Sequence, residues 1–410
     1  MNSRTSARPL SPRRVRVAFA SALLAGGLLL GACATDAPST SSASTSTSTV
    51  SSSIAADDAT TAATISTSAA AAQAFLDTLS DEQREQTTYD YDDETKTTSW
   101  SNFPVTFVDR AGVNLADLSD EQRAAAMKVL EALLSDEGYA TVTGIMGGDE
   151  YLHEKSTSTE ESLGQYYIAF FGDPSNSGAW EIQFGGHHLG INATLDGSTD
   201  EITFAPTHLG IQPAVYTDSD GNEVQPFNGI YTTAFAFYDS LTDEQRAVLY
   251  QGSAVADMVC APGSICDYPT GAGISGADLT GEQKNLLLDV IANWVGLADE
   301  ETTSRALSEI EATLDTTYIN WSGATACDMT KGDGIYFQIS GPDVYIEFAA
   351  QKGSAGADVD GVTTAGWGHV HTIYRDPSND YADSVTQQAA TGMGAGVPGG
   401  EPGGQPPARS

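Results

Sequence analysis

The chain has 410 residues, 40% of them hydrophobic, and carries 55 acidic against 18 basic side chains, for a formal net charge of −37. A field of that sign repels phosphate backbones and anionic headgroups. It argues against nucleic-acid binding and against membrane attachment by surface charge. Cysteine is scarce, four in all, so a cysteine-rich zinc site with paired close spacings is excluded.

The chain opens on a leader. Arg4, Arg8, Arg13, Arg14 and Arg16 form a basic region, followed by an apolar run from Val17 to Leu30 that is too short and too rich in Gly and Ala for an ordinary spanning helix. It ends in Leu30-Gly31-Ala32-Cys33, which resembles a bacterial lipoprotein cleavage box. The resemblance implies an exported protein, cut before Cys33 and held to the outer face of the cell membrane by lipid on that residue. A plain secretory signal with a chance cysteine is the alternative. Residues 34–70, rich in Ser, Thr and Ala, offer few large apolar groups to offset ordering entropy and read as a disordered tether. Residues 71–386 read as the folded domain, and 387–410 as a Gly/Pro-rich disordered tail.

Inside the folded part the sequence repeats. Ala74 to Arg84 (AFLDTLSDEQR) recurs as Ala236 to Arg246 (AFYDSLTDEQR), and each copy is followed by a shorter echo, Leu118 to Arg123 and Leu279 to Lys284. All four have the form of a capping box, with Ser or Thr as N-cap and Gln at N3 reaching back to the N-cap amide. Acids in the first turn suit the helix dipole. Met127, Leu130, Leu133 and Leu134 follow at helical spacing behind one box, and Leu286, Leu287, Val290, Ile291 and Trp294 behind another. Strand signals come next. Tyr166–Phe171 turns through Gly172-Asp173-Pro174 into Trp180–Phe184, and Tyr336–Ile339 turns through Gly341-Pro342 into Tyr345–Phe348. The expected fold is α+β, with two helix-helix-sheet repeats, about 74–215 and 236–376, packed as one large domain.

Histidine marks the candidate chemistry. Of six histidines, two stand in Gly368-His369-Val370-His371, two in Gly185-Gly186-His187-His188, and His208 and His153 are separate. On a strand, His369, His371, Ile373 and Arg375 share one face, with Val370, Thr372 and Tyr374 opposite. Gly185-Gly186 predicts a bulge or a close backbone approach. Beyond it, alternation puts His187 with Leu189 and Ile191, and His188 with Gly190 and Asn192. Leu189 and Ile191 belong in the core and His188 at the site.

A set of His188, His369 and His371, with His187 beside them and Glu347 as carboxylate ligand or base, has the composition of a zinc or copper centre. Arg375 is a candidate to hold an anionic substrate or developing oxyanion, and Asp376 to move a proton. Asp376 and Asp380 could instead orient a histidine. Two other readings stand beside this: a metal-free pocket, or histidines satisfied within a polar sheet core with Arg375, Asp376 and Asp380 stabilising a turn. His208 is a weaker candidate, and His153 reads as a surface residue. No phosphate loop, dinucleotide fingerprint or Gly-x-Ser-x-Gly elbow occurs, so no organic cofactor is indicated. Cys260 and Cys266, spaced by Ala-Pro-Gly-Ser-Ile, are the candidate disulfide pair.

The runs Phe184 to Asn192 (FGGHHLGIN) and His369 to Tyr381 (HVHTIYRDPSNDY), with Tyr166 to Pro174, resemble an uncharacterised family of secreted bacterial and fungal proteins, domain of unknown function three-thousand-five-hundred. Ala382 stands where that family usually has glycine. The likeness spans about 74–385 and implies no activity. The residues themselves lead to two expectations: a lipid-anchored, extracytoplasmic metal-dependent enzyme, hydrolytic or oxidative, or a surface lipoprotein that binds a small ligand in the same pocket without turnover.

Overall fold

The structure, a computed structural model, describes residues 60–156, 164–252, 255–352 and 359–389. Cys33, the leader, the first part of the tether and most of the tail lie outside the described residues. No described helix is long and apolar enough to cross a membrane.

In chain order, helices α1 (Thr61–Leu76) and α2 (Asp81–Thr87) lead into short strands β1 (Thr88–Tyr89) and β2 (Val113–Asn114). Helices α3 (Asp120–Leu133) and α4 (Asp136–Lys155) follow, then β3 (Tyr167–Phe171), β4 (Ala179–Gly185), β5 (Leu189–Asp196), β6 (Glu201–Thr203) and β7 (Thr207–Ile211). A hairpin of β8 (Tyr216–Thr217) and β9 (Glu223–Val224) precedes α5 (Asn228–Ser240) and α6 (Asp243–Leu249). The chain then runs through β10 (Ile274–Ser275), α7 (Gly281–Val295) and α8 (Glu300–Thr313). It closes with β11 (Tyr318–Gly323), β12 (Ile335–Ser340), β13 (Tyr345–Gln351) and β14 (Gly366–Arg375).

All four capping boxes form, at Ser80, Ser119, Thr242 and Thr280. Their glutamines also join helices in pairs. Gln122 donates to Gln83 Oε1 at 3.0 Å and to Thr78 O at 2.9 Å. Gln283 does the same to Gln245 Oε1 and Ser240 O, both at 2.9 Å. A box that satisfies orphan amides within one helix start thereby also fixes the start of the next helix.

One expectation fails at the N-terminal edge. Residues 61–70, assigned to the tether, are helical: Thr60 caps Ala63, and Ile65, Ala69, Ala72 and Phe75 form a buried face. Alanine loses little entropy in a helix and lets α1 lie close against α3. At the other end, Gln387 and Gln388 bond to Thr97, so the ordered chain extends past 386.

The architecture is mixed α+β around one large sheet in the order β1-β3-β4-β5-β7-β14-β13-β12-β11-β10, with β2 on β3 and β6 on β5. The central pair, β7 and β14, runs antiparallel, placing His371 opposite Gly210 and Ile373 opposite His208. The pleat of β14 divides as its alternation predicts. Val370 and Tyr374 enter the main core beneath the helices, and Thr372 accepts from Trp294 of α7 at 2.9 Å. Ile373 packs on the opposite side with Trp100 and Tyr381, which come from irregular segments covering that face. The histidines lie on this loop-covered face.

Candidate metal centre

Two strands and one turn converge on the site. β14 contributes His369 and His371, whose Nε2 atoms are 3.2 Å apart. β7 contributes His208 and Gly210. The turn between β4 and β5 contributes His187 and His188, with rings stacked at 4.1 Å and an interplanar angle of 16°. His188 lies 5.5 Å from both His369 and His371 by ring centroid, and His208 lies 5.5 Å from His371. Each of the five is at most 6% exposed.

Glycine makes this convergence possible. A Cβ on Gly185 would fall 2.2 Å from Leu189 O, and one on Gly186 would fall 2.5 Å from Gln165 O. The chain therefore reverses within four residues and leaves both histidines in the turn. Strand alternation does not apply there, so His187 is not on the core side with Leu189 and Ile191 but stacks at the site. Gly210 occupies the centre of the cage, where a Cβ would stand 3.2 Å from carbons of His188, His208 and His371.

The carboxylate at the cluster is Asp149 of α4. Its Oδ1 lies 2.5 Å from His188 Nδ1, and Tyr166 donates to its Oδ2 at 2.6 Å. Sequence reading missed it. The available signal was an acid in the inward stripe Val142, Ile145, Asp149, Leu152, all buried, since an unpaired buried carboxylate is costly. Asn102 Nδ2 lies 3.3 Å from His371 Nδ1, and its own Oδ1 has no partner among the described residues. Arg110 holds the covering segment in place by donating to the carbonyls of Ser101, Phe103, Val108 and Gly186. Burial lowers its pKa to about 10, which leaves it charged at neutral pH.

Burial dominates the site's electrostatics. It holds His187, His188 and His371 well below the usual imidazole range, with neighbouring histidines adding to the effect. His208 falls to about 4 for the same first reason, although its Nδ1 donates to Thr372 O at 2.7 Å. Burial also pushes Asp149 up to about 6, against the opposing pull of His187 and Tyr166. At neutral pH the imidazoles of His187, His188, His208 and His371 are therefore neutral and Asp149 is mostly ionised. A neutral His188 that donates Nδ1–H to Asp149 carries its lone pair on Nε2. That atom, and His187 Nδ1, are buried with no hydrogen-bond partner among the described residues.

These are features of a ligand set. Histidine that binds a metal through one nitrogen usually donates the other to a carboxylate or carbonyl, which fixes the tautomer. Nitrogens of His187, His188 and His371 lie within 4.8 Å of one another. Three donors bonded to one tetrahedral ion at ~2.0–2.1 Å stand about 3.4 Å apart, so binding would draw the most distant of these nitrogens together by up to about 1.4 Å.

Other expected site residues are engaged elsewhere. Glu347 is fully buried, but it accepts from the amides of Val259 at 2.9 Å and Cys260 at 2.8 Å and from the Tyr336 hydroxyl at 2.7 Å. It braces a covering segment and does not reach the histidines as ligand or base. Arg375 pairs with Asp380 at 2.6 Å and donates to Ser264 O. Asp376 receives Ser378 N at 2.9 Å. Together they build the turn network that was the alternative reading for them, and neither Asp376 nor Asp380 orients a histidine. Cys260 and Cys266 are joined as a disulfide in the segment that covers Glu347. Cys327 is free and exposed, and His153 is exposed on α4.

Ala382 sits at φ 50°, in the left-handed region that favours glycine. Two surface clefts are lined by described residues, and no histidine lines either one. No curated protein and no solved structure matches the chain. Residues 61–383 match the model of the family described as Protein of unknown function (DUF3500), and the chain belongs to that family.

Proposed function

We propose that this chain is a metal protein that holds one transition-metal ion, zinc or copper, through His187, His188 and His371, with His369 and His208 completing the cage. The observation that carries this is the pair of buried imidazole nitrogens, His187 Nδ1 and His188 Nε2, that have no hydrogen-bond partner among the described residues and lie inside the histidine cluster. A wholly imidazole donor set suits zinc or copper better than magnesium or calcium, which take oxygen ligands. Asp149 holds His188 in the ligating tautomer, and Tyr166 holds Asp149. As oriented, Asn102 donates to His371 Nδ1 and leaves the ring proton on Nε2. The reverse amide orientation would accept from Nδ1–H and bare Nε2 for the ion.

Turnover is the first reading of what the ion is for. A bound zinc or copper ion supplies Lewis acidity and an acidified water, or one-electron redox chemistry. Asp149, with one oxygen on His188 and the other on Tyr166, would then raise the basicity of His188 as a ligand. The second reading is retention without turnover, and a specific observation favours it: the histidines are at most 6% exposed and neither cleft touches them. Closed sites are characteristically structural, whereas catalytic sites keep an open position. Reconstitution with zinc or copper followed by desalting tests the shared claim. About one ion per chain should remain bound, and His188→Ala and His371→Ala should each lose it. Screening the loaded protein for hydrolysis of activated esters and phosphoesters, and for oxygen consumption with a reductant, separates the two readings.

The same proposal includes an exported, lipid-anchored protein, supported by the Leu30 to Cys33 box, with the membrane reached through the lipid on Cys33. It also includes an internal duplication. The strand order β3-β4-β5-β7 followed by β14-β13-β12-β11, and the matched glutamine bridges at Gln122 and Gln283, support that reading.

A further inference from the structure

Away from the histidines, α4 and the β8–β9 hairpin enclose a cleft of about 540 Å³. Its wall is built from α4 residues on the helix face opposite Asp149. Gly144 and Gly147 give the room: a Cβ on Gly147 would meet the Tyr216 hydroxyl at 2.4 Å, and one on Gly144 would meet Pro226 at 2.8 Å. The Tyr216 ring can thus lie across the helix, where its hydroxyl donates to Gly144 O at 2.7 Å. Tyr151 stands beside it, with ring centroids 5.6 Å apart and planes tilted by 42°. The rings form a corner and not a stack.

The charge around that corner is mostly negative. Glu150, Glu154 and Asp218 line the cleft, and the cation present, Lys155, already pairs with Glu154 at 3.3 Å. Asp218 accepts from Asn222 and Asp220, bonds that hold it ionised. Among the described residues no hydrogen bond or ion pair engages Glu150. Aromatic faces with nearby carboxylates attract a diffuse positive charge through the ring quadrupole and the local field.

We propose that this cleft binds a small organic cation of the quaternary-ammonium or protonated-amine class, with Tyr151 and Tyr216 as the aromatic corner and Glu150 as the principal counter-charge. The inference is independent of the metal reading, and the metal-free protein is expected to bind equally well.

The test is calorimetric titration of the full chain, metal-loaded and metal-stripped, with choline and with its neutral isostere 3,3-dimethylbutan-1-ol at matched ionic strength. Choline should bind saturably, and the isostere about tenfold more weakly or worse. Tyr151→Leu should weaken choline by about tenfold, the scale of a partly desolvated cation–π contact. Gly147→Ala, which pushes Tyr216 out of place while leaving Tyr151 intact, should weaken it as well. Thermal melts confirm that each variant is folded. The proposal is overturned if the folded wild-type chain shows no saturable choline binding, if the isostere binds as well, or if neither variant changes the affinity.

Discussion

Asp149 and His188 form a dyad across two elements far apart in sequence, with Oδ1 of the helix residue 2.5 Å from Nδ1 of the turn residue. Outer partners of this kind set ligand tautomer and basicity, and losing one typically costs 10–100-fold in metal affinity. Asp149→Asn should therefore weaken zinc binding by about that factor, read by competition with a chromophoric chelator. Asp149→Ala should also lower stability, because Tyr166 and His188 would both lose a buried partner. Wild-type affinity in Asp149→Asn would remove the dyad from the account.

Gly210→Ala probes the cage itself. The added methyl would stand 3.2 Å from three histidine rings, so the rings must spread. Overpacking of this kind costs about 1–3 kcal/mol. The expected result is a folded protein with a modestly lower melting temperature and at least about tenfold weaker metal binding, since ligation needs the rings to draw in. An unaltered affinity would place the ion elsewhere.

Acid should destabilise the metal-free protein. His208 has a folded pKa of about 4 against about 6.5 unfolded. Between these values the unfolded chain binds more protons. Stability is then fully present above 6.5 and is lost as pH falls toward 4, by about 3 kcal/mol for this group alone. Asp149, raised to about 6, works the other way over roughly pH 4–6 by a similar amount. His187, His188 and His371 shift in the same direction as His208, so the histidines outweigh the single acid. Urea midpoints should be lower at pH 5 than at pH 7.5, and an equal or higher midpoint at pH 5 would contradict the neutral cage.

Glu347→Gln separates bracing from ligation. The substitution removes a charged acceptor from the Val259 and Cys260 amides, a loss of about 1.5–3 kcal/mol, and should leave metal affinity unchanged. A fall in affinity as large as that of His188→Ala would return Glu347 to the ligand set.

Ala382→Gly should stabilise the chain by about 1 kcal/mol, because glycine adopts the φ of 50° found there without the Cβ penalty. A lower denaturation midpoint in the glycine variant would show that the alanine methyl contributes packing that outweighs its backbone cost.

Much of this architecture was legible in local chemistry. The capping boxes announce four helix starts because their partners lie three residues apart, and the alternation along β14 sorts His371 from Thr372 because a strand has period two. What local pattern does not reach is partnership across the sheet. Alternation alone groups His187 with Leu189 and Ile191, but a turn suspends it and leaves His187 with the ligand set, and Asp149 was missed because its partner lies 39 residues on. Glu347 sits on the correct face of β13, opposite Ile373. Only the covering segment at Val259 and Cys260 decides that its oxygens are already engaged. His208 looked isolated in sequence and gains neighbours because β7 is the strand that pairs with β14.

The central claim is that the buried histidines hold an ion, and anomalous diffraction from crystals of the zinc- or copper-reconstituted chain tests it most directly. The account predicts one strong peak between His187, His188 and His371, absent from the His371→Ala variant. No peak there in protein loaded with either metal, or the main peak among surface carboxylates, would contradict it.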